Sequence, residues 1–165
     1  RGIIAIMEIV VILNNIRSNE NVGSIFRTAD AVEVSKIILV GYTPSPVDRF
    51  GRENKGLTKA SLGAEKSVKW EKVENINLII ERLKIEKFKI IGIEQDKNAI
   101  DYRKIKTQIL ESGIQNLAIV FGNEVDGLSK QDLKLCDIVA ELPMLGNKES
   151  LNVSVCAGVV LYSLI

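Results

Sequence analysis

The sequence predicts an α/β domain with a mainly parallel sheet and helices on both faces. Two observations lead there. Several short segments are β-branched and apolar at every position, as expected of strands covered on both faces. Between them lie polar or glycine-bearing loops and stretches of helical periodicity, and strands that alternate with helices form parallel sheets. A length of 165 residues suits one domain, whose folded part is expected to begin near Met7.

Residues 8–13, Glu-Ile-Val-Val-Ile-Leu, are the first strand. Asn and Ser crowd residues 14–21, and Ile25, Phe26 and Ala29 stand at helical spacing, so a helix is expected over Val22–Val32. Lys36–Val40 is the second strand, stopped by Gly41, which completes a βαβ unit. Residues 42–66 hold Pro44, Pro46 and the basic residues Arg49, Arg52, Lys55, Lys59 and Lys66, and read as a mobile basic loop. Val68–Trp70 is a short strand. Asn75 caps a helix to about Lys84, and Phe88–Ile93 and Asn116–Phe121 are the next strands. A short helix follows Ser129, and Asp137–Leu142 is again a strand. In the last segment Val153, Val155, Ala157 and Val159 alternate as in a strand, but its length and a Ser150 cap favour a helix buried nearly all round.

Composition removes much chemistry. There is no histidine, which excludes His-based zinc sites, Ser-His-Asp triads and an imidazole base. Lys plus Arg number 22 against 21 Asp plus Glu, so the net charge of +1 provides no bulk attraction for nucleic acid, and any basic footprint must be local. Cys136 and Cys156 have neither CxxC spacing nor the density of a disulfide scaffold, which points to a reducing cytoplasm. The apolar run Ile3–Leu13 is broken by Glu8 and falls short of the roughly 20 residues a membrane span needs.

Three islands after predicted strands could carry chemistry. In the first, Asn14 to Ala29, Arg17 and Arg27 could hold phosphate, Asn21 could bond a hydroxyl or cap the helix, and Gly23 would let another backbone approach. In the second, Phe121-Gly-Asn-Glu-Val-Asp-Gly-Leu-Ser, Glu124 and Asp126 are a carboxylate pair, a metal site or a turn before the Ser129 cap. Neither the dinucleotide nor the P-loop fingerprint fits it. The third, Leu142-Pro-Met-Leu-Gly-Asn-Lys-Glu-Ser-Leu-Asn-Val-Ser, reads as an apolar loop able to cradle a flat ligand or as a Pro-Gly loop before a capped helix.

In this order and at these separations, N-x-G-x-I-x-R-T-A, F-G-N-E-x-x-G-L-S and L-P-M-x-G-x-x-x-S-L-N-V-S resemble the SpoU/TrmH family of SPOUT RNA methyltransferases. Thr43-Pro-Ser-Pro, Thr58-Lys-Ala-Ser-Leu-Gly-Ala-Glu and Val68-Lys-Trp-Glu are also similar, so the resemblance covers about residues 7–165. It implies transfer of methyl from S-adenosyl-L-methionine (AdoMet) to a ribose 2′-hydroxyl of tRNA or rRNA by a homodimer with a deep C-terminal trefoil knot. Family members often carry an extra RNA-binding domain, which this chain is expected to lack, and because a sulfonium needs no metal, none is expected. By motif position it assigns Asn21, Arg27, Glu124, Ser150 and Asn152 to catalysis. Ile93, Gly122, Leu142, Met144 and Leu151, with Ser150 and Asn152, fall to the cofactor. RNA would be drawn by Arg49, Arg52, Lys55 and Lys59, with Lys66, Lys69 and Lys72 adding to the local excess and Arg17 supporting it. Trp70 would stack a base or sit in the core.

The chemistry of such a reaction is asymmetric. A sulfonium methyl is already a strong electrophile, whereas a ribose hydroxyl is a poor nucleophile until its proton leaves. A guanidinium is a poor proton acceptor, so Arg27 is expected to bind the neighbouring phosphate and stabilise the developing alkoxide while phosphate or water takes the proton. Two other readings remain open: a catalytically silent knotted RNA-binding module, and a Rossmann-like oxidoreductase, which the missing glycine fingerprint weakens.

Overall fold

The computed structural model describes residues 8–165; the expected start near Met7 lies outside them. Seven strands form one sheet: β1 (Glu8–Asn14), β2 (Lys36–Val40), β3 (Trp70–Val73), β4 (Lys89–Ile93), β5 (Ile100–Asp101), β6 (Asn116–Phe121) and β7 (Ile138–Glu141). Their order is β3-β2-β1-β6-β4-β7-β5 and every pairing is parallel. Helices α1 (Asn19–Ala31), α2 (Lys55–Ser61), α3 (Ala64–Ser67), α4 (Ile76–Ile85), α5 (Ile105–Ser112), α6 (Lys130–Leu135) and α7 (Val153–Ser163) complete the fold.

The doubly apolar strands are explained by two cores. Ile9, Val11, Leu13, Ile37, Leu39, Ile119 and Phe121 face α1, α2, α5 and α7, whose Phe26, Leu57, Ile109 and Val160 meet them. The alternate residues Val10, Ile12, Ile38, Val40, Ile90 and Val120 pack under Ile79, Ile80 and Leu83 of α4. Side chains alternate across a strand, so both faces had to be apolar. No helix of the described residues is long and apolar enough to cross a membrane.

Several expectations need correction. The first helix begins at Asn19 rather than Val22, because Ser18, not Asn21, is its N-cap and accepts from Asn21 N at 3.1 Å. Residues 42–66 are not a slack loop. Asn54 caps α2 by accepting from Leu57 N, and Leu57 is fully buried. The third strand is Trp70–Val73, shifted to pair with β2. The last helix is capped by Asn152, not Ser150, and it is not buried all round: Val155, Val159 and Tyr162 are exposed along one side. Residues 94–115, unassigned from sequence, hold β5 and α5. The Ser129 cap holds, as a capping box with Asp132.

Gly23 does allow a backbone to approach. A Cβ there would lie 2.4 Å from Leu57 O and 2.7 Å from Ala60 Cβ, so the α1–α2 contact depends on its absence. That contact sets the first turn of α1 beside the loop after β1.

Candidate active site

Because β1, β6, β4 and β7 are neighbours, the loops leaving their C-terminal ends converge at one edge of the sheet, where open parallel sheets bind ligands. A cleft of about 390 Å³ opens there. Ile93 and Glu94 line it after β4, Phe121 to Gly127 after β6, Leu142 and Met144 after β7, and Ser150 to Val153 at the entry to α7. Its floor is tight: a Cβ on Gly122 would lie 2.4 Å from the carbonyl carbon of Gly127. Gln95 Nε2 donates to Glu149 O at 2.6 Å and closes the rim between two of the loops.

One polar network crosses the cleft wall. Glu124 Oε1 accepts from Ser18 N at 2.9 Å and from Asn21 Nδ2 at 3.1 Å, and Glu124 Oε2 accepts from Arg17 N at 2.9 Å. Asn21 Oδ1 in turn accepts from Asn152 Nδ2 at 3.1 Å. Asn152 Oδ1 accepts from Ser154 N at 2.9 Å, so the α7 cap also reaches α1. Burial alone would push the Glu124 carboxyl up, but the N–H groups of Arg17 and Ser18 and the Asn21 amide hold it below its usual value. It is ionised at neutral pH and works as an acceptor. A carboxamide has two donors and two lone pairs, so Asn21 keeps one of each for a ligand.

The structure therefore brings together Asn21, Glu124 and Asn152, and places Ile93, Gly122, Leu142, Met144, Ser150 and Leu151 around the same cleft. Arg27 is exposed on α1 and does not line the cleft. Arg17 is exposed, with its guanidinium beside the Tyr42 hydroxyl. Arg49, Arg52, Lys55 and Lys59 are exposed on the β2–α2 loop and α2. Lys72 is not a free cation, since its ammonium donates to the carbonyl oxygens of Gly41 and Thr43. Trp70 is half-buried against the core.

Three residues escaped the sequence reading. Asn123 donates to Asn15 O at 2.8 Å and to the Tyr42 hydroxyl at 2.7 Å, while its Oδ1 accepts from Val125 N and Asp126 N. It makes residues 123–127 a turn and ties the loops after β1, β2 and β6 together. Buried Thr43 accepts from Ile16 N at 3.0 Å and donates to Leu13 O at 2.8 Å, with the same effect. Glu94 Oε2 accepts from Leu128 N at 2.8 Å. The Asn123 position beside the glycine that ends a buried strand was the one available signal. Cys156 lines the cleft, but burial pushes its thiol up to about 11, so it stays protonated and is no nucleophile.

The SpoU rRNA Methylase family model matches residues 8–162. A Staphylococcus aureus protein assigned to the TrmH family of tRNA/rRNA methyltransferases is 36% identical over 153 residues, covering 93% of this chain and 56% of the relative. A Staphylococcus haemolyticus counterpart is 37% identical over the same length. This chain thus spans little more than half the length of these curated relatives. Among solved structures, an AdoMet-bound rRNA methyltransferase from Sinorhizobium meliloti superimposes with a TM-score of 0.83 at 25% identity, over 95% of this chain and 55% of that one. The Aquifex aeolicus TrmH/SpoU tRNA modifying enzyme gives 0.79 at 27% identity, over 96% and 74%.

Proposed function

From the premise that this chain belongs to the SpoU rRNA methylase family, we propose that it uses AdoMet to methylate a ribose 2′-hydroxyl of tRNA or rRNA. The observation that carries the proposal is the Asn21–Glu124–Asn152 network at the wall of the glycine-floored cleft.

The cleft suits AdoMet in size, surface and charge. Its 390 Å³ lies in the range of small-ligand pockets. Ile93, Leu142, Met144 and Leu151 supply apolar walls for a flat base, beside the open backbone of Gly122. Glu94, Glu124, Asp126 and Glu141 line it and, among the described residues, no Lys or Arg does, which favours a ligand bearing positive charge. AdoMet would supply a methyl group on a cationic sulfur, so the protein's task is alignment and activation of the acceptor.

Asn21, with one donor and one lone pair to spare, would orient the ribose. Glu124 fixes that side chain by anchoring both its amide and the backbone ahead of α1. Asn152 holds the entry to α7 against it, and Ser150, without a hydrogen bond among the described residues, lines the cleft and would meet ligand. Arg27 would bind the phosphate beside the target nucleotide and stabilise the alkoxide as phosphate or water accepts the proton. Its absence from the cleft lining of one chain supports a homodimer whose site takes residues from both copies, and the exposed apolar stripe of α7 is the surface that would join them. The C-terminal knot implied by the resemblance, and the cytoplasmic location expected from the sparse cysteines Cys136 and Cys156, belong to the same proposal.

The test is single-turnover transfer of labelled methyl to unmodified tRNA and rRNA, with the product read as a linkage resistant to alkaline cleavage. Label on a base, or none on RNA despite bound AdoMet, would reject the ribose reaction.

A further inference from the structure

Phe50 is 68% exposed, with the guanidinium carbons of Arg49 and Arg52 lying 4.8 and 5.2 Å from its ring centroid. Exposed apolar residues are ordinary when scattered singly, but this one is mounted on a built tip. Asp48 Oδ1 accepts from Phe50 N at 2.8 Å and from Arg52 N at 2.9 Å, and Asp48 Oδ2 accepts from Arg52 Nε at 2.7 Å. Backbone bonds Asp48 N to Arg52 O and Gly51 N to Asp48 O close the turn, and Val47 bridges Glu53 beneath it. One carboxylate therefore fixes the backbone of the tip, and none of these hydrogen bonds involves the phenyl ring.

Below the tip lies a groove of about 740 Å³ whose lining mixes Tyr42 and Trp70 with charges of both signs, Arg49 and Arg52 beside Asp48, Glu53 and Glu74. It shares a wall with the active-site cleft, because the Tyr42 hydroxyl accepts from Asn123, the neighbour of Glu124 in the cleft lining. A strand of RNA presenting a ribose to Asn21 would have its adjoining nucleotides near this groove.

We propose that Phe50 is a stacking platform for an unpaired base of the RNA substrate, with Arg49 and Arg52 meeting the phosphates beside that base. The proposal rests on the RNA methyltransferase reading above. Aromatic rings stack any base, and guanidinium groups serve both stacking and phosphate. A protein partner would instead favour an anchor at the centre of a broad, charge-depleted patch, whereas Phe50 stands on a tip between two cations and a carboxylate. Arg52 is partly neutralised by Asp48, which leaves Arg49 as the stronger phosphate ligand.

The experiment is fluorescence anisotropy with labelled, unmodified tRNA and rRNA stem-loop transcripts, alongside calorimetry with AdoMet. Phe50→Ala should weaken RNA binding about tenfold, with Phe50→Tyr restoring it, while the salt dependence and AdoMet affinity stay unchanged. Arg49→Gln should lower the slope of log affinity against log salt by about one. Phe50→Trp should add emission that RNA quenches beyond the change seen with Trp70 alone. Wild-type RNA affinity in Phe50→Ala, a loss that tyrosine does not rescue, or an unquenched Trp would overturn the platform and leave the methyltransferase reading intact. No RNA binding by the wild-type protein would overturn both.

Discussion

Asn152 donates its side-chain amide to Asn21 Oδ1 at 3.1 Å across 131 residues of sequence. That single bond joins the first turn of α1 to the cap of α7, and Glu124 holds the other end of the Asn21 carboxamide. The three side chains should behave as a unit. Asn21→Ala and Asn152→Ala are each expected to slow methyl transfer, and the double variant to be little slower than the worse single one. The cycle should give a coupling of roughly 0.5–3 kcal/mol, read from single-turnover rates; additive losses would show that the residues act separately.

Glu124 makes acid stability a local matter. Burial opposes its charge, but the Arg17 and Ser18 N–H groups and the Asn21 amide outweigh it and depress the native pKa below the ordinary 4.5. A depressed carboxyl contributes stability that is complete above the unfolded value and is lost as pH falls through the native one. Glu124→Gln should be less stable than the parent at pH 7, and the gap should shrink as pH drops below about 4.5. Urea denaturation across that range checks it; a gap constant with pH would remove the charge from the account.

Gly122→Ala is expected to damage both fold and cleft. The added methyl meets the Gly127 backbone at 2.4 Å, and overpacking against backbone costs typically 1–3 kcal/mol. A fall in melting temperature together with weakened AdoMet binding by calorimetry is the expected pair of results, and an unchanged melting temperature would contradict the geometry.

Arg27→Ala should leave the melting temperature unchanged, because the side chain is exposed and has no hydrogen bond or ion pair among the described residues. Methyl transfer should nevertheless fall about 10²–10³-fold, the usual effect of losing one preorganised donor, with AdoMet affinity within a few-fold of the parent. Arg27→Lys should recover little, since an ammonium cannot reproduce a planar two-point contact with phosphate. Near-normal turnover in both variants would return Arg27 to the role of a solvated helix residue.

The stripe of Val155, Val159 and Tyr162, which are 51%, 37% and 55% exposed, should be covered in solution by a second copy of the chain. Val155→Lys together with Tyr162→Asp is expected to convert a dimer to a monomer of 18.2 kDa by light scattering. The folded monomer should lose turnover. A parent protein that is already monomeric at micromolar concentration would dismiss the shared site.

Strands were the most legible part of this chain. A strand covered on both faces must be apolar throughout, and Lys36–Val40 and Asn116–Phe121 stand where their composition put them. Helices held by few apolar residues were less so. α2 depends on a side-chain cap from Asn54 and one buried leucine, and α5 on Ile105 and Ile109 before the left-handed Gly113. Within the site, Asn21, Glu124 and Asn152 were visible as motif members, although a linear reading could not show that they touch. The Asn123–Tyr42 bond joins two loops that neither periodicity nor local turn chemistry relates, and the Ser18 cap was hidden among several equally good capping residues.

The interior place of β1 between β2 and β6 carries a cost in time. Its first residue pairs with Asn116 of β6, so during vectorial synthesis the strand waits, one edge unpaired, while roughly a hundred further residues are made, on the order of 5–20 s. Only β2 and β3 can join it early. An apolar edge left open that long is a template for other nascent chains, and the late arrival of β6 makes the sheet a slow folder of high contact order. Chaperone demand and aggregation on overexpression should therefore track the exposure of Val10 and Ile12 during translation more closely than the stability of the finished molecule.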